Sequence, residues 1–108
     1  MELCVGLDVG LEETSICVID RDGKVVRETT VSTEPAAIRC ALEGYADRLR
    51  RVGVEASSLG MWLHRELHPA GLPIVVVEAL HLRVSLSTLR NKTDRNDARG
   101  IAQMMRLG

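Results

Sequence analysis

The sequence predicts an α/β fold, a mixed five-stranded sheet with helices over its faces. Three observations predict it. Three short strand-like runs come first, joined by tight turns. Two later apolar runs each follow a helical stretch, the pattern of right-handed crossovers onto parallel strands. Aromatic side chains are nearly absent, with one Trp, one Tyr and no Phe in 108 residues. A core of Val, Leu, Ile and Ala suits a buried parallel sheet, and the same scarcity excludes an aromatic platform for stacking single-stranded nucleic acid.

The elements follow in order. Leu3 to Asp8 is an apolar run closed by an acid, and Val9 to Glu13 turns the chain. Thr14 to Asp20 and Lys24 to Val31 flank Arg21-Asp22-Gly23, an Asp-Gly hairpin signal because Gly tolerates positive φ. Ser32-Thr33-Glu34-Pro35 reads as a helix start with a hydroxyl cap and Pro in the first turn. Ile38, Leu42, Tyr45, Leu49 and Val52 recur at helical spacing, with Arg48, Arg50 and Arg51 toward the C-terminal end. A short strand is left for Val52 to Glu55. Ser57 or Ser58 caps a second helix carrying Leu59, Trp62, Leu63, Leu67 and Ala70, which Gly71 ends. Leu72 to Val77 lacks alternation and reads as a strand covered on both faces. Glu78 to Leu89 is a short helix or turn, Arg90-Asn91-Lys92 a loop, and Thr93 caps a last helix to about Leu107.

Composition bounds the rest. Charged residues are 27% and hydrophobic residues 45%, enough for one domain and against a disordered chain. No apolar run approaches the roughly 18 residues of a membrane span, and the start lacks a signal peptide's features. A soluble cytoplasmic domain is the expectation. Cys4, Cys17 and Cys40 include no Cys-x-x-Cys pair, and the first two fall inside apolar runs as buried reduced thiols. His64 and His68 lie one turn apart but lack an Asp or Cys at ligand spacing.

Three acidic features carry the chemistry. Asp8 ends the first strand and Glu55 the fourth, with Glu78 an equally placed competitor. If the first and fourth strands are parallel neighbours, their terminal carboxylates stand about one interstrand spacing apart, roughly 5 Å. Asp94 and Asp97 share one face of a helical first turn, with Ile101 and Met104 or Met105 packing inward. Each acid alone also has a structural use, as a turn residue or a helix cap. If that helix faces the strand ends, the four carboxylates converge in one cleft that repels itself unless cations sit within it. Oxygen ligands of this kind select Mg²⁺ or Mn²⁺, and two such ions can clamp a phosphodiester.

Val5-Gly6-Leu7-Asp8-Val9-Gly10, Val54-Glu55-Ala56-Ser57 and Lys92-Thr93-Asp94-Arg95-Asn96-Asp97-Ala98 resemble the DEDD transposase family of bacterial insertion sequences, relatives of Piv-type invertases. The resemblance covers essentially the whole chain. It implies a ribonuclease H-like, RuvC-like fold over residues 1–108, an acidic tetrad of Asp8, Glu55, Asp94 and Asp97, and Mg²⁺-dependent DNA strand exchange in transposition. It also implies a second domain bearing a catalytic serine, so that these residues by themselves would be inactive. An element-encoded structured RNA and a homo-oligomer are further implied partners, acting at the bacterial nucleoid. Leu11 stands where the family often has Lys, and Ser57-Ser58 where it often has Thr-Gly.

Two other readings stand beside this one. An actin-like sugar kinase also opens with Gly-x-Asp-x-Gly and a hairpin, but needs a second Gly-rich phosphate loop that this chain lacks. An inert ribonuclease H-like interaction module predicts no affinity for divalent cations. The net charge of -1 argues at first against a polyanion partner. It is a sum over unlike parts: residues 1–80 carry 8 basic and 13 acidic side chains, residues 81–108 carry 6 and 2. Arg83, Arg90, Lys92, Arg95, Arg99 and Arg106 thus form a basic flank beside the carboxylates, with Arg90, Lys92, Arg95 and Arg99 the candidate nucleic-acid contacts, or else a solvated helix face.

Overall fold

The computed structural model describes residues 2–78 and 97–107. Strands β1 (Leu3–Val9), β2 (Glu13–Asp20) and β3 (Val25–Ser32) form an antiparallel meander. Gly23, at φ 86°, supplies the positive φ that the β2–β3 turn requires. Strands β4 (Leu49–Glu55) and β5 (Ile74–Val77) then join in parallel, giving the order β3-β2-β1-β4-β5. The mixed five-stranded sheet is as the sequence predicts.

Strand side chains alternate between two faces, and each face has its own core. Leu3, Val5, Leu7, Ile16, Val18, Val52 and Val54 point to one side. There they meet Ile38 and Leu42 of α1 (Pro35–Leu42) and Leu63 and Leu67 of α2 (Ser58–Leu67). On the other side Cys4, Cys17, Ile19 and Val77 pack with Ala98, Ile101, Ala102 and Met105 of α3 (Asp97–Leu107). Small residues bring α3 close: a Cβ on Gly6 would lie 2.0 Å from the Ala98 carbonyl oxygen. Burial pushes the Cys17 thiol up to about 11 and raises that of Cys4. Both are free thiols, as expected, and Cys40 is free and exposed.

Several local expectations need correction. The first helix ends at Leu42, passes through a 3-10 segment at Glu43–Arg48, and gives way to strand at Leu49. Leu49 and Val52, together with Arg50 and Arg51, therefore belong to β4. A spacing of three and four residues fits either element, and β4 wins because it pairs on both edges, with β1 and β5. Secondly, no side chain caps α1; Glu34 is its N-cap residue. The Thr33 hydroxyl donates instead to the Gly10 carbonyl at 2.7 Å. Thirdly, β5 is not covered on both faces throughout, since Val75 at the sheet edge is 39% exposed. The second helix starts as expected, Ser57 capping it by accepting from the Gly60 amide, but it ends at Leu67 and passes through a 3-10 turn at His68–Ala70, with Ala70 exposed, before Gly71 takes the left-handed conformation at φ 95°. The expected Glu78–Leu89 helix or turn, the Arg90–Lys92 loop and the Thr93 cap involve positions outside the described residues.

Candidate metal centre

Asp8 and Glu55 are brought together by strand register. Leu7 pairs with Val54 across the parallel β1–β4 ladder, so the next residues on each strand, Asp8 and Glu55, stand side by side. Both have the parity of Gly6 and Gly53, which face α3. Glu78 follows the end of β5, one strand farther from β1. Neighbouring strands are about 4.8 Å apart, so Glu55 and not Glu78 is the direct neighbour of Asp8. Asp97 opens α3 over the same strand ends.

Electrostatics agree with that placement. The Asp8 carboxyl lies above its ordinary value, first through burial, then through the charges of Asp97 and Glu55. Asp8 and Glu55 are partly buried, and Asp97 is exposed. Asp94, the remaining carboxylate of the expected set, lies outside the described residues. Among the described residues no three His, Cys, Asp or Glu side chains are close enough to share one ion. The donor chemistry nevertheless fits a hard cation: the oxygens are carboxylate, partly desolvated, and crowded by like charge.

Two supports of this cluster were not anticipated. The Glu55 carbonyl is met by the N-terminal turn of α2, where a Cβ on Gly60 would lie 2.0 Å from that oxygen. An isolated Gly inside a helical pattern is the sequence signal for such an approach. The turn after Asp8 is clamped by Thr33, whose amide donates to Glu12 and whose hydroxyl pairs at 2.9 Å with that of fully buried Thr14. A polar residue at a core-facing position of β2 was the legible clue.

Arg99, one of the expected nucleic-acid contacts, forms a two-pronged ion pair with Glu28 of β3, with Nη2 to Oε1 at 2.7 Å. Arg83, Arg90, Lys92 and Arg95 lie outside the described residues, and Arg106, expected beside the carboxylates, sits instead in the last turn of α3, at the opposite end from Asp97. His64 and His68 stack, with ring centroids 5.1 Å apart.

Solved structures share this architecture. RuvC of Thermus thermophilus superposes with a TM-score of 0.64 at 17% identity, covering 93% of this chain and 90% of that one. The same organism's RuvC in complex with Holliday junction substrate gives 0.58 at 13% identity, over 94% and 90%. A glucokinase of the ROK family from Streptomyces griseus, in complex with glucose and AMPPNP, gives 0.51 at 19% identity, over 79% of this chain and 36% of that one. At such identities the likeness shows the fold, which is RuvC-like and ribonuclease H-like. No curated protein matches by sequence. The model of the IS110-type DEDD transposases, described as Transposase, matches residues 5–108. The paired carboxylates of β1 and β4, the acid at the head of α3 and this match over nearly the full length agree, and the chain belongs to the DEDD transposase family.

Proposed function

We propose that this chain is the catalytic carboxylate domain of an insertion-sequence transposase, cutting and exchanging DNA strands with a divalent metal. The observation that carries the reading is the β1–β4 register, which stands Asp8 beside Glu55 under the first turn of α3. Asp8, Glu55 and Asp97, with Asp94, would hold Mg²⁺ or Mn²⁺, as two ions. Bound there, such cations supply Lewis-acid polarisation of phosphodiester oxygens. The chain's own residues do the positioning. Asp8 and Glu55 lie at strand ends, the Ser57 hydroxyl donates to the Glu55 carbonyl, against which Gly60 packs closely, and Asp97 rides on a helix packed tightly against β1. Strand transfer in this reading also needs a serine nucleophile from a second domain, and Ser57 is not that group, since its hydroxyl caps α2. A structured RNA and a second copy of the chain are further partners, and the work takes place on nucleoid DNA in the cytoplasm.

The sugar-kinase reading draws on the glucokinase likeness, but leaves the acids of β4 and α3 without a use. Calorimetric titration with Mn²⁺ separates the readings. Wild type should release binding heat that Asp8→Ala and Asp94→Ala lose, and ATP should give none. Equal Mn²⁺ heats in wild type and Asp8→Ala would defeat the metal centre. The 108 residues alone should cleave DNA little or not at all, and robust strand exchange by them would overturn the divided site.

A further inference from the structure

At the opposite end of α3 from Asp97, the molecule carries a second polar cleft of about 170 Å³. It is lined by Arg21, Arg50, Arg106, Glu2 and Cys4. Three arginines and one glutamate thus line one cleft.

The surrounding structure builds this convergence. Leu3 pairs with Leu49 and Cys4 with Arg51, so Arg50 is the extra residue of a β-bulge. A bulge re-aims a side chain, and here Arg50 lines the cleft beside Cys4 while Arg51 also turns toward α3. Arg51 donates to the Met105 carbonyl at 3.2 Å, answering the negative end of the helix. Arg106 is oriented in turn: its Nε donates to Gln103 Oε1 at 2.9 Å, and Gln103 Nε2 donates to the Gly23 carbonyl at 3.0 Å. That relay locks the guanidinium through Nε and leaves its outer edge for a ligand. Asp20, the nearby turn acid, is engaged by the amides of Asp22 and Lys24. The side chains of Arg21 and Arg50 make no hydrogen bond or ion pair to any described residue. One oriented arginine beside two unpaired ones favours one ligand chemistry, the phosphate group, which the planar guanidinium recognises through paired N–H donors.

We propose that the cleft formed by Arg21, Arg50 and Arg106 is a phosphate-binding pocket. Arg106 lies nine residues beyond Asp97 on α3, about 14 Å along the helix axis. A nucleic-acid backbone can therefore be gripped here, well away from the carboxylates. The pocket needs none of those acids, so it stands or falls independently of the metal centre.

Two measurements on the 108-residue chain decide it. In the first, inorganic phosphate is titrated while the arginine Nε–H signals are followed by NMR. The Arg106 signal should shift, and should do so equally in Asp8→Ala. In the second, binding of a labelled short DNA duplex is followed against salt concentration. An Arg21→Ala/Arg50→Ala double variant should bind about tenfold more weakly at low salt, with the log–log salt slope reduced by about 2. Arg39→Ala/Arg65→Ala, which removes two exposed arginines elsewhere, should behave as wild type. Both double variants change exposed side chains, so an unchanged circular-dichroism melt checks the fold. A phosphate-induced shift with unaltered duplex binding assigns the pocket to a free phosphate monoester. If phosphate leaves Arg106 unmoved and the Arg21→Ala/Arg50→Ala variant matches wild type on duplex, the pocket is refuted.

Discussion

Asp8 is the residue on which the centre turns, because burial and two neighbouring acids all disfavour its charge. Its carboxyl holds a proton to higher pH in the folded state than in the unfolded chain. The stability it contributes is therefore fully present below the unfolded value, near 3.8, and is lost as pH rises through the raised folded value. Asp8→Asn should flatten that decline. At neutral pH and without metal it should raise Tm by about 2–4 °C, as roughly half a kcal/mol does in a domain of this size. A thermal melt at several pH values checks this, and a Tm below wild type at neutral pH would contradict it. Glu28 offers a second residue-scale test. Its exposed pairing with Arg99 contributes little stability, about 0–1 kcal/mol, but occupies a cation expected to touch nucleic acid. Glu28→Gln should tighten duplex binding a few-fold at low salt, as seen by fluorescence anisotropy, and the gain should vanish when Arg99→Ala is added.

At the scale of elements, close approach decides where the acids stand. Helix α3 rests on β1 through Gly6, where even a methyl group would collide with the Ala98 backbone. Gly6→Ala should cost about 1–3 kcal/mol, the usual penalty of overpacking, and by lifting α3 should weaken Mn²⁺ binding as well. Chemical denaturation and titration calorimetry read the two effects separately. The turn after Asp8 depends on the Thr33 hydroxyl, which holds both Gly10 and buried Thr14. Thr33→Val leaves the Thr14 hydroxyl without this partner and should destabilise by about 1–3 kcal/mol. Here too lies the clearest difference between sequence pattern and structure. Tyr45, Leu49 and Val52 carry helical spacing, yet Leu49 begins a strand. Backbone pairing with β1, and with β5 over Val52–Glu55, engages the polar backbone of β4 and outweighs a periodicity shared by both elements.

Across the whole molecule, charge is sorted along α3. Carboxylates gather where its N-terminus meets the ends of β1 and β4; arginines gather where its C-terminus meets Glu2 and Cys4. A net charge of -1 hides this separation. No helix of the described residues is long and apolar enough to cross a membrane.

Much of this was legible in the chain itself. The meander and its Asp-Gly turn, the Ser57 cap, the Gly71 stop and the buried thiols are local matters of dihedral preference and apolar pattern. They hold whatever the chain packs against. The family was legible too, in short segments around Asp8, Glu55 and Asp94 to Ala98. Only the tertiary structure decided which strand-end glutamate stands beside Asp8. Val54-Glu55-Ala56 and Val77-Glu78-Ala79 read alike as strand exits, and nothing within either tripeptide distinguishes them. The order β1-β4-β5 does, because pairing between strands more than forty residues apart in sequence is settled by burying both faces of the sheet at once. The arginine cleft has the same origin: Arg21, Arg50 and Arg106 share no motif, and a bulge and one helix end bring them together.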